Sequence, residues 1–159
     1  MNNIDPSAEI HASVLIPEST RVWGNTQIRE GAKIGKNCII GRNVYIGAGV
    51  VIGDNCKIQN NALIYEPAVL GDGVFIGPSA ILTNDKHPKA INDDGSIKTS
   101  RDWSSQAVRI GTGASIGAGA ICVAPVEIGP DATVGAGSVV TRNVKAKQTV
   151  VGVPARPID

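Results

Sequence analysis

The sequence predicts an all-β protein, a parallel β-helix with one long extruded loop, and its first support is an aliphatic period. From Ile10 to Leu82 an aliphatic residue returns at every sixth position without a break. A small or β-branched residue stands two positions before each, and glycine often follows. An amphipathic helix needs a period near 3.6 and a single strand a period of 2. A period of six therefore indicates a short strand and a corner, repeated many times.

The corners give the second support. Three hexads make one triangular coil, so residues 18 apart lie above one another. Asparagine and glycine, which tolerate the positive φ of a tight corner, recur at that spacing. The three columns are Asn25, Asn43 and Asn61; Asn37 and Asn55; and Gly31 and Gly49. The corner columns and the inward aliphatic residues therefore agree on one register.

Composition limits the possible functions. The chain has 159 residues, which suits one domain, and aromatic residues make up only 3%, as expected for a narrow core of Ile, Val and Ala. The net charge of +1 gives no general attraction to nucleic acid or membranes. The first residues lack the pattern of a signal peptide, and no apolar run is long enough to span a bilayer. We expect a cytoplasmic protein.

Three cysteines occupy inward positions of the repeat: Cys38, Cys56 and Cys122. Cys38 and Cys56 lie one coil apart, at about 5 Å if strands stack at ladder spacing, which leaves a disulfide open. Buried, reduced thiols are favoured for a cytosolic chain. With only His11 and His87 available, the cysteines form no convincing zinc site, and no metal is expected.

The period divides the single domain into parts. We expect an N-terminal cap over 1–9, coils over 10–87, an extruded loop over 88–107, coils over 108–151 and a C-terminal end over 152–159. The hexads resume at Ile110 and are expected to run on through Ala146, and Pro154 is expected to end the last strand. Apolar residues also occupy outward positions, which predicts a homo-oligomer. These residues are Tyr45, Leu63, Ile81, Ile39, Val51, Val69 and Phe75.

The hexads, the single loop and the closing Gly-Val-Pro-Ala-Arg over 152–156 resemble hexapeptide-repeat acyltransferases over roughly residues 10–157. That resemblance implies a left-handed helix. A longer motif is similar to N-acetyltransferases of nucleotide-linked 3-amino sugars, of the UDP-2-acetamido-3-amino-2,3-dideoxy-glucuronate type. The motif consists of the segments 53–61, Tyr65-Glu66, 73–79, Thr83-Asn84-Asp85 and Pro88-Lys89-Ala90.

The resemblance implies a reaction and an assembly. Such enzymes transfer acetyl from acetyl-CoA to the 3-amino group of a UDP- or dTDP-linked sugar used in surface polysaccharides or glycosides. They are homotrimers with active sites between subunits. Asn84 matches a family asparagine that holds the sugar amine, without an obvious protein base. His87 at the loop root is the alternative base, and Asn84 could instead only shape the loop.

Further residues are candidates for binding the two substrates. For the sugar nucleotide they are Asp85, Glu66, Glu30, Gln59, Asn60, Tyr65 and Lys89, although Glu30 and Glu66 could simply be solvated corner residues. Lys89 stands where the family would have arginine, which weakens a bidentate contact. For acetyl-CoA they are Gly117, Ala118, Gly135, Ala136, Gly137, Arg142, Lys145 and Lys147, although the small residues could be plain corners.

Several rival functions can be weighed from the sequence. Two histidines do not suffice for a β-helical carbonic anhydrase, which needs three zinc ligands. These 159 residues contain no glycine-rich nucleotide domain, so we do not expect a bifunctional sugar-phosphate nucleotidylyltransferase. An O-acetyltransferase of a small hydroxyl substrate and a non-catalytic β-helix scaffold stay open.

Overall fold

The computed structural model describes residues 3–158, and every regular element in that range is a short β-strand. Most strands have two residues because each is one side of a hexad. Their bounds are β1 Glu9–Ile10, β2 Arg21–Val22, β3 Gln27–Ile28, β4 Lys33–Ile34, β5 Ile39–Ile40, β6 Tyr45–Ile46, β7 Val51–Ile52, β8 Lys57–Ile58, β9 Leu63–Ile64, β10 Val69–Leu70, β11 Phe75–Ile76, β12 Ile81–Leu82, β13 Val108–Ile110, β14 Ser115–Ile116, β15 Ile121–Cys122, β16 Val126–Ile128, β17 Thr133–Val134, β18 Val139–Val140, β19 Thr149–Gly152 and β20 Ala155–Pro157.

The strands form three sheets, which the chain visits in turn. Sheet I is β1-β3-β6-β9-β12-β15-β18, sheet II is β16-β13-β10-β7-β4, and sheet III is β2-β5-β8-β11-β14-β17-β19-β20. All pairs are parallel except β19 with β20. Tyr45 pairs with Leu63 and Leu63 with Ile81, each 18 positions on. The predicted β-helix is therefore confirmed, and the solenoid is consistent with the expected left hand.

The core is the stack of inward aliphatic residues. Ile40, Ile46, Ile58 and Ile64 are fully buried, and the small residues two positions earlier are buried beside them. Thr20 and Thr26 are buried polar exceptions, and their hydroxyls donate to the carbonyls of Gly35 and Gly41 at 2.8 and 2.7 Å. These bonds remove the cost of burying a hydroxyl inside an apolar column.

The three cysteines are buried and free, as the sequence favoured. The backbone N–H of Cys56 donates to Cys38 Sγ at 3.4 Å, so the two thiols stack along the axis as reduced groups.

The corner columns are also as predicted. Asn25, Asn43 and Asn61, Asn37 and Asn55, and Gly31 and Gly49 all have positive φ. Two of the columns continue upward, one through Ser79, Gly119 and Gly137 and the other through Gly73, Gly113, Asp131 and Lys147. The column of Gly31 and Gly49 stops where Pro67 takes the next position, so positive φ is repeated along two of the three corners.

The last coil differs from the sequence prediction. Thr133 pairs with Thr149, 16 positions on, so this coil is two residues shorter than the others. Val144 consequently takes the buried place predicted for Ala146, which is exposed. Strand β19 ends at Gly152, before Pro154, and the chain then turns back to form the antiparallel β20.

The first coil begins earlier than the hexads suggest. Ile4 forms a parallel bridge with Val22, and Asp5 N–H donates to the carbonyl of Val22. Part of the segment assigned to the cap therefore pairs as a further layer. Residues 1–2 of that segment lie outside the described residues.

The loop interrupts the stack between Leu82 and Val108. Leu70 pairs with Ile110, 40 positions on, although the layers below and above pair at 18. Within the loop Ile91 bridges Ile97 in an antiparallel hairpin, which the sequence did not predict. The loop root is closed by a hydrogen bond from the N–H of Gln106 to the carbonyl of Asn84 at 2.9 Å.

Candidate functional site

The three sheets give the solenoid a triangular cross-section, and the predicted site residues lie on all three of its corners. The loop corner, between sheets I and II, comprises 29–32, 47–50, 65–68, 83–107, 123–125 and 141–143. The glycine corner, between sheets III and I, comprises 23–26, 41–44, 59–62, 77–80, 117–120 and 135–138. The third corner comprises 35–38, 53–56, 71–74, 111–114, 129–132 and 145–148. Each corner is a column of side chains about 4.8 Å apart along the axis.

The loop corner brings together part of the predicted set. Glu66 lies one layer below Asn84, because the N–H of Tyr65 donates to the carbonyl of Leu82 at 3.2 Å. Arg142 lies two layers above Asn84 in the same column, by way of Val123. The predicted stacking of Glu66 and Asn84 therefore agrees with the register.

Asn84 is half-buried and rigidly attached at its backbone. Its carbonyl accepts the bond from Gln106, and the Oγ1 of the preceding Thr83 accepts a hydrogen bond from the N–H of Ala124 at 3.0 Å. The backbone thus holds the loop root, and the side-chain amide is not used for that purpose. The side chain of Asn84 therefore starts from a held backbone, and its amide remains available to orient a ligand.

The other loop residues lie beside Asn84. The Oδ1 of Asp85 accepts a hydrogen bond from the N–H of His87 at 2.8 Å, so this carboxylate shapes the turn. His87 and Lys89 are exposed and can reach a ligand only from the outer side of the corner.

Glu30 already forms a salt bridge within the chain. Its carboxylate forms a bidentate pair with the adjacent Arg29, at 2.8 and 3.0 Å, and both side chains are nearly half exposed. The hydrogen bond from Arg29 holds the pKa of Glu30 below its ordinary value. Glu30 stands on the loop corner but three layers below Asn84, so the two do not form one site within a chain.

Two tyrosines lie just below the loop. The rings of Tyr45 and Tyr65 are 5.1 Å apart with planes at 47°, a tilted aromatic pair. Burial, followed by the nearby charge of Glu66, raises the pKa of Tyr45. The predicted Tyr65 is therefore part of an aromatic shelf directly beneath the Asn84 layer.

The remaining candidates lie on the other two corners. Gln59 and Asn60 are on the glycine corner, where Asn60 Oδ1 accepts the N–H of Arg42 at 2.9 Å. The glycine corner also holds Gly117, Ala118, Gly135, Ala136 and Gly137. Lys145 and Lys147 stand on the third corner. One chain therefore does not bring the predicted acetyl-CoA residues next to Asn84.

The structure adds residues that the sequence analysis missed. A cleft of about 410 Å³ lies beside the loop exit and is lined by residues that include Gln106, Arg109, Glu127 and Asn143. Arg109 could have been placed outward because it precedes the inward Ile110, but the path of the loop exit has no sequence signal. A larger hollow of about 720 Å³ lies at the N-terminal end, far from the loop, and is the open end of the first coils.

Two family models match the chain, one before most of the extruded loop and one after it. The family model for the GMPPB C-terminal domain matches residues 22–91, and that for the hexapeptide repeat of succinyl-transferase matches residues 107–142. The second match identifies residues 107–142 as hexapeptide repeats. No curated protein matches it.

Two solved acetyltransferase structures are similar over most of the chain. A variant of GDP-perosamine N-acetyltransferase from Caulobacter crescentus, in complex with CoA and GDP-perosamine, has 26% identity over 98% of this chain, with a TM-score of 0.68. The chain spans 55% of that protein's length. A hexapeptide-repeat acetyltransferase from Vibrio cholerae O1 biovar eltor, complexed with acetyl coenzyme A, has 25% identity over 82% of this chain and 70% of its own, with a TM-score of 0.68.

A third structure is similar in fold alone. The acetyltransferase domain of PglB from Neisseria gonorrhoeae, with acetyl coenzyme A, has 21% identity over 98% of this chain and 56% of its own length, with a TM-score of 0.56. Within residues 3–158 no helix is long and apolar enough to cross a membrane. The same described range contains no group of three or more His, Cys, Asp or Glu side chains that could hold a metal ion.

Proposed function

We propose that the protein transfers acetyl from acetyl-CoA to the 3-amino group of a UDP- or dTDP-linked amino sugar. The observation that carries this proposal is Asn84, a half-buried amide on a backbone-held loop root. The similar structures include acetyltransferases in complex with CoA and GDP-perosamine or with acetyl coenzyme A. The product is a building block for a surface polysaccharide or glycoside, made in the cytoplasm.

The reaction needs orientation more than a strong base. The free amine attacks the thioester carbonyl, a C–N bond forms, the C–S bond breaks, and the proton lost by nitrogen passes to the departing thiolate of CoA. Asn84 Oδ1 accepts a hydrogen bond from the amine and directs its lone pair towards the carbonyl. His87 is the alternative proton acceptor, and its exposed position favours the first route.

The outer face of sheet I is the surface that favours a homotrimer with sites shared between copies. It carries one unbroken column of half-buried apolar residues across five layers: Tyr45, Leu63, Ile81, Ile121 and Val139. An apolar column of this length favours burial against another copy. If three copies turn sheet I towards a common axis, the loop corner of one meets the glycine corner of the next.

That arrangement joins the separated candidates. Asn84 and Glu66 from one copy would face Gly117, Ala118 and the glycines of 135–137 from its neighbour, whose exposed backbone groups suit the amides of pantetheine. Arg142, on the Asn84 column, is then the cation nearest to the CoA groove. Lys145 and Lys147, on the third corner, are not part of this seam.

The test is a substrate panel. Acetyl-CoA is supplied with UDP- and dTDP-linked 3-amino sugars, with their 3-hydroxy counterparts and with serine, and release of the CoA thiol is measured. We expect turnover with a 3-amino sugar only. Turnover of the hydroxyl compounds alone would instead identify an O-acetyltransferase, and no turnover of any acceptor would favour a non-catalytic scaffold.

A further inference from the structure

Opposite charges are concentrated at the two ends of the solenoid. Residues 3–20 contain three acidic residues and no lysine or arginine, whereas residues 132–158 contain four lysines or arginines and no acidic residue. The acidic residues are Asp5, Glu9 and Glu18, and the basic ones are Arg142, Lys145, Lys147 and Arg156. The N-terminal end is therefore negatively charged and the C-terminal end positively charged, although the whole chain carries only +1.

Both ends of the aliphatic column open into hollows. The N-terminal hollow, of about 720 Å³, is lined by residues that include Ala8 and Ile16, which are only partly buried against the core. The C-terminal hollow, of about 310 Å³, is lined by residues that include Val144 and Val150. The end of a solenoid needs a polar outer face to stay separate from other copies. Apolar groups at both ends therefore leave two surfaces that a further coil can cover.

The acidic and basic ends carry charges on the same corner of the triangle. The N–H of Asn37 donates to the Oγ of Ser19 at 3.0 Å, which places Glu18 in the lowest layer of the third corner. The highest layer of that corner is 145–148, which includes Lys145 and Lys147. All three charged side chains are exposed. A second solenoid placed on the first with their axes aligned would therefore bring Glu18 over the two lysines.

The end charges are not neutralised within the chain. Among residues 3–158 the only ion pair is the one between Arg29 and Glu30, neither of which belongs to the two charged ends. Arg156 lines the C-terminal hollow with an exposed side chain, and Glu18 lines the N-terminal hollow. Complementary charge selects a partner and fixes its orientation. For each end of this chain, the other end of a second copy provides that complement.

We propose that copies of this protein stack head to tail, with the C-terminal hollow of one copy against the N-terminal hollow of the next. Glu18 of the upper copy then lies between Lys145 and Lys147 of the lower copy. Ile16 continues the inward column of sheet II above Val144, which bridges Ile128 in the layer below it. Stacking of two like ends is disfavoured because it brings like charges together. A head-to-tail contact is heterologous, so it does not close and can add further copies.

Sedimentation velocity of the wild type measures this stacking. Each end is a triangle with sides of about six residues, or about 20 Å, so the contact is small and depends on protein concentration. In about 0.01 M salt the mass should rise with concentration in whole multiples of the basic assembly. In about 1 M salt it should return to that assembly, because the Debye length falls from about 30 Å to about 3 Å. A single assembly at every concentration in low salt would overturn the proposal.

Exchange of the charges tests the direction of stacking. Glu18→Lys should not stack in low salt, because its N-terminal end now repels the lysines of the next copy. The double variant Lys145→Glu and Lys147→Glu should not stack either, because its C-terminal end repels Glu18. An equal mixture of the two variants should stack again, since the exchanged ends attract each other. A mixture that stays unstacked while the wild type stacks would contradict the head-to-tail contact.

A matched control separates the end charges from charge in general. Lys57 is exposed on the outer face of sheet III, between the two ends, so Lys57→Glu should stack like the wild type. Melting temperatures of all the variants should stay close to that of the wild type, because each substituted side chain is exposed. Loss of stacking in Lys57→Glu equal to that in the end variants would show that net charge, and not contact between the ends, controls the association.

Discussion

The backbone and the side chain of Asn84 have different roles. Its carbonyl closes the loop through Gln106, and Thr83 fastens the same layer to Ala124, so the side-chain amide is free to serve a ligand. In the proposed reaction an asparagine suffices at this place, because an amine nucleophile needs alignment more than a protein base. This makes Asn84 and His87 separable by mutation.

Replacing Asn84 with alanine should lower kcat about 100-fold, the scale of a misoriented reactant, and should leave the fold intact because the loop-closing bond uses the backbone. The control is Asn92→Ala in the loop hairpin, where Asn92 Nδ2 donates to Ser96 Oγ within the loop itself. Thiol release and thermal melting report the two effects. If His87→Asn abolishes the fall in rate at acid pH while Asn84→Ala is nearly neutral, His87 is the base and our assignment is wrong.

Cys122 gives a prediction for stability at high pH. Burial raises the pKa of this thiol to about 12, above its ordinary value near 8.5. The folded state therefore holds the proton more tightly than the unfolded state, and this contribution is present in full below about pH 9 and is lost as pH rises towards 12. In alkaline melting curves Cys122→Ala should lose less stability over this interval than the wild type, whatever its stability at neutral pH. Parallel curves for the two proteins would refute the effect.

At the scale of the strand and corner, glycine is required for two different reasons. A Cβ added to Gly35 would meet the backbone carbonyl of Gly53 in the next layer. A Cβ on Gly49 would meet nothing, but this residue has φ of +66°. The first glycine is required by contact and the second by conformation.

Alanine substitutions separate these two causes. Gly49→Ala should cost about 1 kcal/mol, the penalty of the left-handed conformation alone. Gly35→Ala should cost more, about 2–3 kcal/mol, because a backbone carbonyl cannot move aside without disturbing the layer. Denaturant unfolding midpoints measure the difference. Equal losses would mean that the layers can separate locally.

The repeating parts of this protein could be predicted from the sequence, and the exceptions could not. Inward positions such as Ile40 and corners such as Asn43 follow from a period that each layer reinforces. Ala146 was misplaced because the shortened last coil deletes two residues at a point where Val144 is equally suited to burial. The loop hairpin depends on local contacts such as the bridge between Ile91 and Ile97, which no period encodes.

For the whole molecule, the proposed function rests on the proposed homotrimer. Leu63, in the apolar column of sheet I, and Val69, on the outer face of sheet II, are both half-buried aliphatic residues. Leu63→Arg should convert trimers to monomers and remove activity, because a charge would be buried without a partner. Val69→Arg is the matched control and should remain trimeric. Native mass spectrometry distinguishes these states, and a trimeric Leu63→Arg protein would exclude sheet I as the interface.

Subunit complementation tests the central claim, an active site shared between the loop corner of one copy and the glycine corner of the next. Asn84→Ala disables the first corner, and Ala118→Trp, at an exposed position, blocks the second. Each homotrimer should be nearly inactive, whereas trimers assembled from an equal mixture should regain about a quarter of wild-type acetyl transfer, since one seam in four combines two intact corners. If the mixture stays as inactive as its two parents while the wild type is active, the site does not lie between copies.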